Sequence, residues 1–158
     1  VSVHTADLAE AASAEQLAGS LASDGVTVDV LINNAGVGSH NRFVDQDPDT
    51  IGPVIQLNCV SLVALTRQLL PGMVTRRRGG IMNVASTAGF QPVPTMAVCA
   101  ATKAFVLSFT EAPCLERMEP WQRSSTGGGG GCPRAEGPFY RSPNALPDGV
   151  GPVFDWHP

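Results

Sequence analysis

Hydrophobic positions in the first 112 residues alternate between two periods. Residues 1–8, VSVHTADL, alternate and open on β-branched side chains, which predicts a short strand. Leu8, Ala11, Ala12, Leu17 and Leu21 then fall near helical spacing, with Asp7 as the expected N-cap and Gly25 as the stop. The run Val26 to Ile32 is apolar apart from Thr27 and Asp29, the pattern of a parallel strand buried on both faces. It ends in the turn formers Asn33, Asn34, Ala35 and Gly36. After a loop containing DQDPDT, residues 51–78 read as a long apolar helix that tolerates Pro53 in its first turn, kinks or breaks at Pro71 and ends at Gly79-Gly80. Arg76, Arg77 and Arg78 complement its negative end. GGIMNVAS, residues 79–86, reads as a second buried strand, and residues 98–112 lie in a further helix. The order β-α-β-α-β-α predicts an α/β domain with a parallel sheet.

Composition changes at Pro113. Residues 113–158 hold eight of the 13 prolines and eight of the 17 glycines, including Gly127 to Gly131. Each Pro removes a backbone donor and each Gly raises the entropy of ordering, so the segment is expected to be an irregular, disordered tail, with Pro113 and Pro120 ending the helix early. Both tryptophans and the single tyrosine, Trp121, Trp156 and Tyr140, lie there without periodicity. Out-of-frame reading of a GC-rich gene would yield such a composition. The chain therefore divides into a domain at 1–112 and a tail at 113–158.

A net charge of −4 gives no positive field to support nucleic-acid binding. No apolar run approaches membrane-spanning length and the N-terminus lacks the pattern of a signal peptide, so a cytoplasmic protein with no membrane partner is expected. Cys59, Cys99, Cys114 and Cys132 show no paired spacing, which points to free thiols and no metal site.

Ligands of parallel α/β sheets sit beyond the carboxyl ends of the strands, and Asp7, the Asn33 to Gly36 turn and Ser86 all fall there. Ser86 precedes Cys99 by thirteen residues, and Cys99 precedes Lys103, the only lysine, by four, one helical turn. With NNAG at 33–36, Asn58 in the long helix and NVAS ending at Ser86, the chain resembles the classical short-chain dehydrogenase/reductase family over residues 1–112. The resemblance implies a partial Rossmann-like, doubly wound parallel sheet with flanking helices. It also implies hydride transfer between NAD or NADP and an alcohol or carbonyl. By position, Ser86 orients the substrate oxygen, Lys103 holds the nicotinamide ribose and lowers the pKa of the acid, and Asn58 supports a proton-relay water. Asp7 and Leu8 match the contact with the adenine, and Asn33, Ala35 and Gly36 the turn against the adenosine ribose. Cys99 stands where the family has its acid/base tyrosine.

A cysteine sulfur reaches about 4 Å less far from the backbone than a phenol oxygen. A misplacement of about 1 Å can cost roughly a hundredfold in rate, and a positioned acid/base is worth about 10² to 10⁴. No Gly-rich pyrophosphate turn precedes Val1, so severely reduced cofactor affinity is expected. An impaired, incomplete enzyme is one expectation; the other is a non-catalytic scaffold or homo-oligomer joined through helices 51–78 and 98–112, which commonly form the subunit interface in the family. In the strand order 3-2-1-4-5-6, only residues 28–33 and 80–85 remain neighbours. The expected sheet is therefore a parallel pair, with residues 1–7 detached or docked away from it and no regular strand within 121–158.

Overall fold

In a computed structural model, which describes residues 1–115 and 124–126, three short parallel strands carry four α-helices. The elements are α1 (Ser13–Ser23), β1 (Val30–Asn33), α2 (Pro48–Ile55), α3 (Ser61–Arg76), β2 (Gly80–Asn83), α4 (Ala97–Leu115) and β3 (Ser124–Thr126). The sheet order is β1-β2-β3.

β1 and β2 pair in register from Val30 opposite Gly80 to Asn33 opposite Asn83. The bonds Gly80 N–H to Asp29 O (2.9 Å) and Val84 N–H to Asn33 O (3.0 Å) extend the ladder at both ends. This is the parallel pair expected of the two apolar runs. β3 is a correction: Ser124, Ser125 and Thr126 pair with Ile81, Met82 and Asn83 inside a stretch where no strand was expected. Docking on an open strand edge uses backbone N–H and C=O groups and needs no apolar alternation, the signal on which the sequence reading relied. β2 thus has a neighbour on each side, so its outer edge is not left unpaired as expected. The helix also passes Pro113 and reaches Leu115. A proline in the last turn forfeits one hydrogen bond without ending the helix. The Gly run, Cys132, Trp121, Tyr140 and Trp156 lie outside the described residues.

Residues 1–7 form no strand; a strand needs a partner, and among the described residues none pairs with them. Asp7 is likewise not the cap of α1. Its Oδ1 accepts from Ala9 N–H (2.9 Å) in a local turn, and α1 starts six residues later behind Ala12, which adopts φ 63°. Gly25, at φ 68°, does stop that helix.

The long helix expected at 51–78 is three pieces: α2, a π-helical turn at Gln56–Val60, and α3. Pro71 does not break α3; the buried Leu65, Thr66 and Met73 anchor the helix on both sides of it. α3 ends at Arg76, with Arg77 in the left-handed region (φ 50°), ahead of the two glycines. Arg76 Nη2 donates to Val28 O (2.7 Å), and Arg78 pairs with Asp29 (2.9 Å), so the basic triplet latches α3 to the start of β1. The helical run Pro48–Arg76 is long and apolar enough to cross a bilayer, contrary to the expectation that no run approaches that length. Here Val54, Leu62, Leu65 and Met73 pack it into the domain core.

Asn33 bonds Thr66 on α3 and Asn83 bonds Thr110 on α4, so both helices cover one face of the sheet. Beneath them, Leu62, Ala85, Val106 and Leu107 form one apolar cluster, and Met73 and Ile81 the centre of another. Burial of these side chains supplies the main stabilisation of the layer, about 25 cal/mol per Å² removed from water.

Candidate active site at the carboxyl ends of the strands

β1 delivers the loop Asn34–Gly38 to the surface directly above the π turn and α4. Backbone approach is close there. A Cβ on Gly36 would stand 3.2 Å from Asn58 Oδ1 and 3.3 Å from Lys103 Nζ, and one on Gly38 would stand 3.0 Å from Cys99 Sγ. Four of the sequence candidates, Gly36, Asn58, Cys99 and Lys103, therefore converge from three separate segments.

Asn58 sits in the π turn, 2% exposed. Its Oδ1 accepts from Val37 N–H (2.9 Å), while its Nδ2 donates to Val37 O (2.8 Å) and to Thr102 Oγ1 (3.0 Å). Both amide hydrogens and the amide oxygen are engaged with neighbouring segments, so the Asn58 side chain is a brace. Widened turns of this kind recur at functional sites. No Pro or Gly marks 56–60, and the sequence offered no signal for the turn.

Lys103, on α4 one turn beyond Cys99, donates from Nζ to Val84 O (2.9 Å). Burial pushes its ammonium below the usual lysine range, and the nearby Cys99 and Cys59 sulfurs pull it partway back. Cys59 is shifted the other way: burial raises its thiol, against the lowering charge of Lys103. Cys59 and Cys99 are both buried and free.

Ser86 caps the 3-10 turn Thr87–Gly89, its Oγ accepting from Ala88 N–H (3.2 Å). That turn lies hard against α4, where a Cβ on Gly89 would be 2.9 Å from the Lys103 carbonyl carbon. Beyond it, Thr95, at φ 66°, joins the segment after Pro92 to the loop after Gly36. Its carbonyl accepts from Asn41 N–H (2.9 Å) and its Oγ1 bonds His40 Nε2 (2.9 Å).

The other candidates lie apart from this cluster. Asn33 is 8% exposed and its amide is spent on Thr66 Oγ1 (3.2 Å) and Asn83 Oδ1 (2.8 Å), so only its backbone belongs to the turn; Ala35, two residues on, is exposed. Asp7 lines an open groove of about 770 Å³ with His4, Glu10, Gln16 and Ser20. The Leu8 carbonyl accepts from Ser61 Oγ (2.6 Å), fixing that segment to the head of α3.

Sequence reasoning missed Thr66, Asn83, Thr102 and Thr110, all buried: Thr66 and Asn83 accept from Asn33, Thr102 accepts from Asn58, and Thr110 accepts from Asn83. One signal was available: Asn83 shares strand parity with Ile81, a polar residue on the inward face.

The arrangement offers a half-buried cation with one described acceptor beside an exposed backbone turn, a setting able to take the hydroxyls of a sugar. A family model described as short chain dehydrogenase matches residues 1–119. The very-long-chain 3-oxoacyl-CoA reductase of Bos taurus is 40% identical over 95 residues, covering 58% of this chain and 30% of that protein. Reductase-B of the same description from Danio rerio is 42% identical over 90 residues, with 54% and 29% covered. The chain thus spans about 30% of the length of these curated relatives. Among solved structures, 4-hydroxyisoleucine dehydrogenase complexed with NADH and succinate superposes with TM-score 0.73 at 25% identity, covering 78% of this chain and 59% of that one. The closed form of serine dehydrogenase complexed with NADP+ gives 0.71 at 32%, with 78% and 50% covered. With 119 of its 158 residues inside that family model, and its fold shared with oxidoreductases of known structure, the chain belongs to the short-chain dehydrogenase family.

Proposed function

We propose that this chain binds NAD or NADP at the Gly36–Asn58–Lys103 cluster and that its hydride transfer to or from a carbonyl or alcohol is strongly attenuated. The family and the NADH and NADP+ complexes of its structural neighbours support the nucleotide. The residues at the cluster fit the ribose beside the nicotinamide: Lys103 supplies donors, and Gly36 leaves the gap that a side chain would fill. When bound, the nicotinamide donates or accepts the hydride. Lys103 holds the ribose, the 34–38 backbone walls the site, and Ser86 orients the substrate oxygen.

One observation carries the attenuation. Cys99 is 8% exposed, and its sulfur lies directly under the Gly38 backbone. The thiol is covered by the loop, and it is about 4 Å shorter than the phenol whose position it takes. Loss of a positioned proton donor alone removes about 10² to 10⁴ in rate.

Fluorescence titration with NADH and NADPH, followed by nucleotide oxidation with carbonyl substrates, tests this reading. The curated relatives make a 3-oxoacyl-CoA the first substrate to try. Saturable binding with at most trace oxidation is expected. Robust turnover would overturn the attenuation, and absence of binding to either nucleotide would overturn the site.

A second reading is association through the helices. Phe105 is 42% exposed on α4 and stacks on Phe109 at 6.0 Å, and Val60 at the head of α3 is 48% exposed. Sedimentation of the wild type beside Phe105→Glu decides it: a dimer lost in the variant supports an interface, and a monomeric wild type removes it.

A further inference from the structure

We propose that Asn83 and Thr110 are positioning residues for Lys103, fixing the rotation and height of α4 at which its amine meets the Val84 carbonyl. The proposal rests on the reading of Lys103 as the group that holds the nucleotide ribose, and it assigns a task to polar side chains that the site itself does not use.

A line of side-chain hydrogen bonds crosses the domain. Asn33 Nδ2 donates to Thr66 Oγ1 on α3 (3.2 Å) and to Asn83 Oδ1 (2.8 Å), and Asn83 Nδ2 donates to Thr110 Oγ1 on α4 (2.9 Å), which donates on to Val106 O (2.6 Å). Asn83 and Thr110 are each 1% exposed, so no solvent competes for these bonds. α4 consequently meets the end of β2 at two points. The Thr110 hydroxyl meets the Asn83 amide, and the Lys103 amine meets the carbonyl of the next residue, Val84. The two helix positions are seven residues apart, about 10.5 Å along the axis and nearly on one line. A slide of α4 by one residue, or a turn of one position about its axis, breaks the short Thr110–Asn83 contact and shifts the backbone from which Lys103 reaches Val84 O. Val84 is itself held by its N–H on Asn33 O (3.0 Å), so the acceptor for Lys103 stands on a residue that the same line secures.

Apolar packing alone does not give this definition. Val106 and Leu107 lie against Leu62 and Ala85, and contacts of that kind tolerate small rotations that directional hydrogen bonds do not.

Lys103 is the only lysine, so its reactivity can be read without any nucleotide. The full chain is acylated with acetic anhydride across a pH series, and modification of the Lys103 peptide is quantified by mass spectrometry. In the wild type the midpoint lies below the ordinary lysine value, as burial dictates. Thr110→Val is expected to move the midpoint up toward about 10.4, the value of a solvated lysine, and Thr110→Ser to keep it at the wild-type position. A Thr110→Val protein that still unfolds cooperatively yet keeps the wild-type labelling midpoint would overturn the proposal, as would a Thr110→Ser protein that behaves like Thr110→Val. Should Thr110→Val lack a cooperative transition, Thr110→Ala, which leaves room for water at Asn83, is read by the same two criteria. Failure of the wild type to bind NADH or NADPH would sink the ribose-binding role while the labelling pattern still held, so the two readings fail separately.

Discussion

The Asn58 carboxamide grips the Val37 backbone on both sides of its Cα, accepting from its N–H at 2.9 Å and donating to its carbonyl at 2.8 Å. The same Nδ2 donates to Thr102 on α4. One side chain in a widened helical turn therefore joins the loop after β1 to the helix that carries Cys99 and Lys103. The site is assembled around that junction, and its geometry depends on an amide that makes no free contact of its own.

Replacing Asn58 by Leu strips the Val37 backbone of its side-chain partner and takes one of two bonds from the buried Thr102 hydroxyl, which keeps its bond to Cys99 O (2.8 Å). Loss of stability by about 1–3 kcal/mol is expected, read as a lower urea midpoint at unchanged m-value. Faster proteolytic cleavage within residues 37–42 should accompany it, because the loop loses its anchor. An unchanged midpoint would show that the junction adds nothing.

Gly79 and Gly19 should respond in opposite directions to the same substitution. Gly79 has φ 151°, and a Cβ there would fall 2.6 Å from Met73 Cγ, so Gly79→Ala combines backbone strain with overpacking of a buried core residue. A loss of about 2–4 kcal/mol is expected. Gly19 lies inside α1 with nothing within 4 Å of its absent Cβ. Gly19→Ala should add about 0.5–1 kcal/mol. Thermal melts of the two variants check the contrast.

Stability should also report the charge on Lys103. Its folded pKa lies below its unfolded value of about 10.4, so between the two the unfolded chain binds more protons and stability rises with pH. The contribution is present above the unfolded pKa and is lost as pH falls through the folded one. Cys59 works the other way: its folded pKa is raised, so its contribution is lost as pH climbs. The comparison is therefore made in a Cys59→Ala background. Between pH 7 and 10 the parent should gain stability relative to Lys103→Met. A difference that is flat with pH would mean that the amine is solvated.

Cys99→Tyr restores the residue type that the family carries, yet the site has closed around a smaller one. The Gly38 backbone lies against the sulfur, and a ring there must displace the loop that Asn58 holds. Trace carbonyl-dependent oxidation of NADH or NADPH at most is expected. Turnover at a rate typical of enzymes, about 1 to 10³ per second, would show that the loop yields without cost.

The sequence by itself determined the two central strands with the helices around them, the parallel pairing of the two apolar runs, and the spacing that places Ser86, Cys99 and Lys103 along one stretch of chain. Those properties are local: a side chain's place on a face follows from the period of 2 or 3.6, which any short window displays. The tertiary structure alone decided the rest. β3 forms because a backbone edge was open to Ser124–Thr126, and edges leave no mark on side-chain pattern. Asn33, read from the sequence as part of the turn, points its amide into a bond with Asn83, fifty residues away, and Asp7 turned on itself instead of capping α1. Asn58, in a widened turn whose own five residues include no proline or glycine, bonds Val37 and Thr102, partners 21 and 44 residues distant. A buried amide must pair with whatever donor or acceptor the folded chain brings beside it, and that neighbour is settled only when segments far apart in sequence meet.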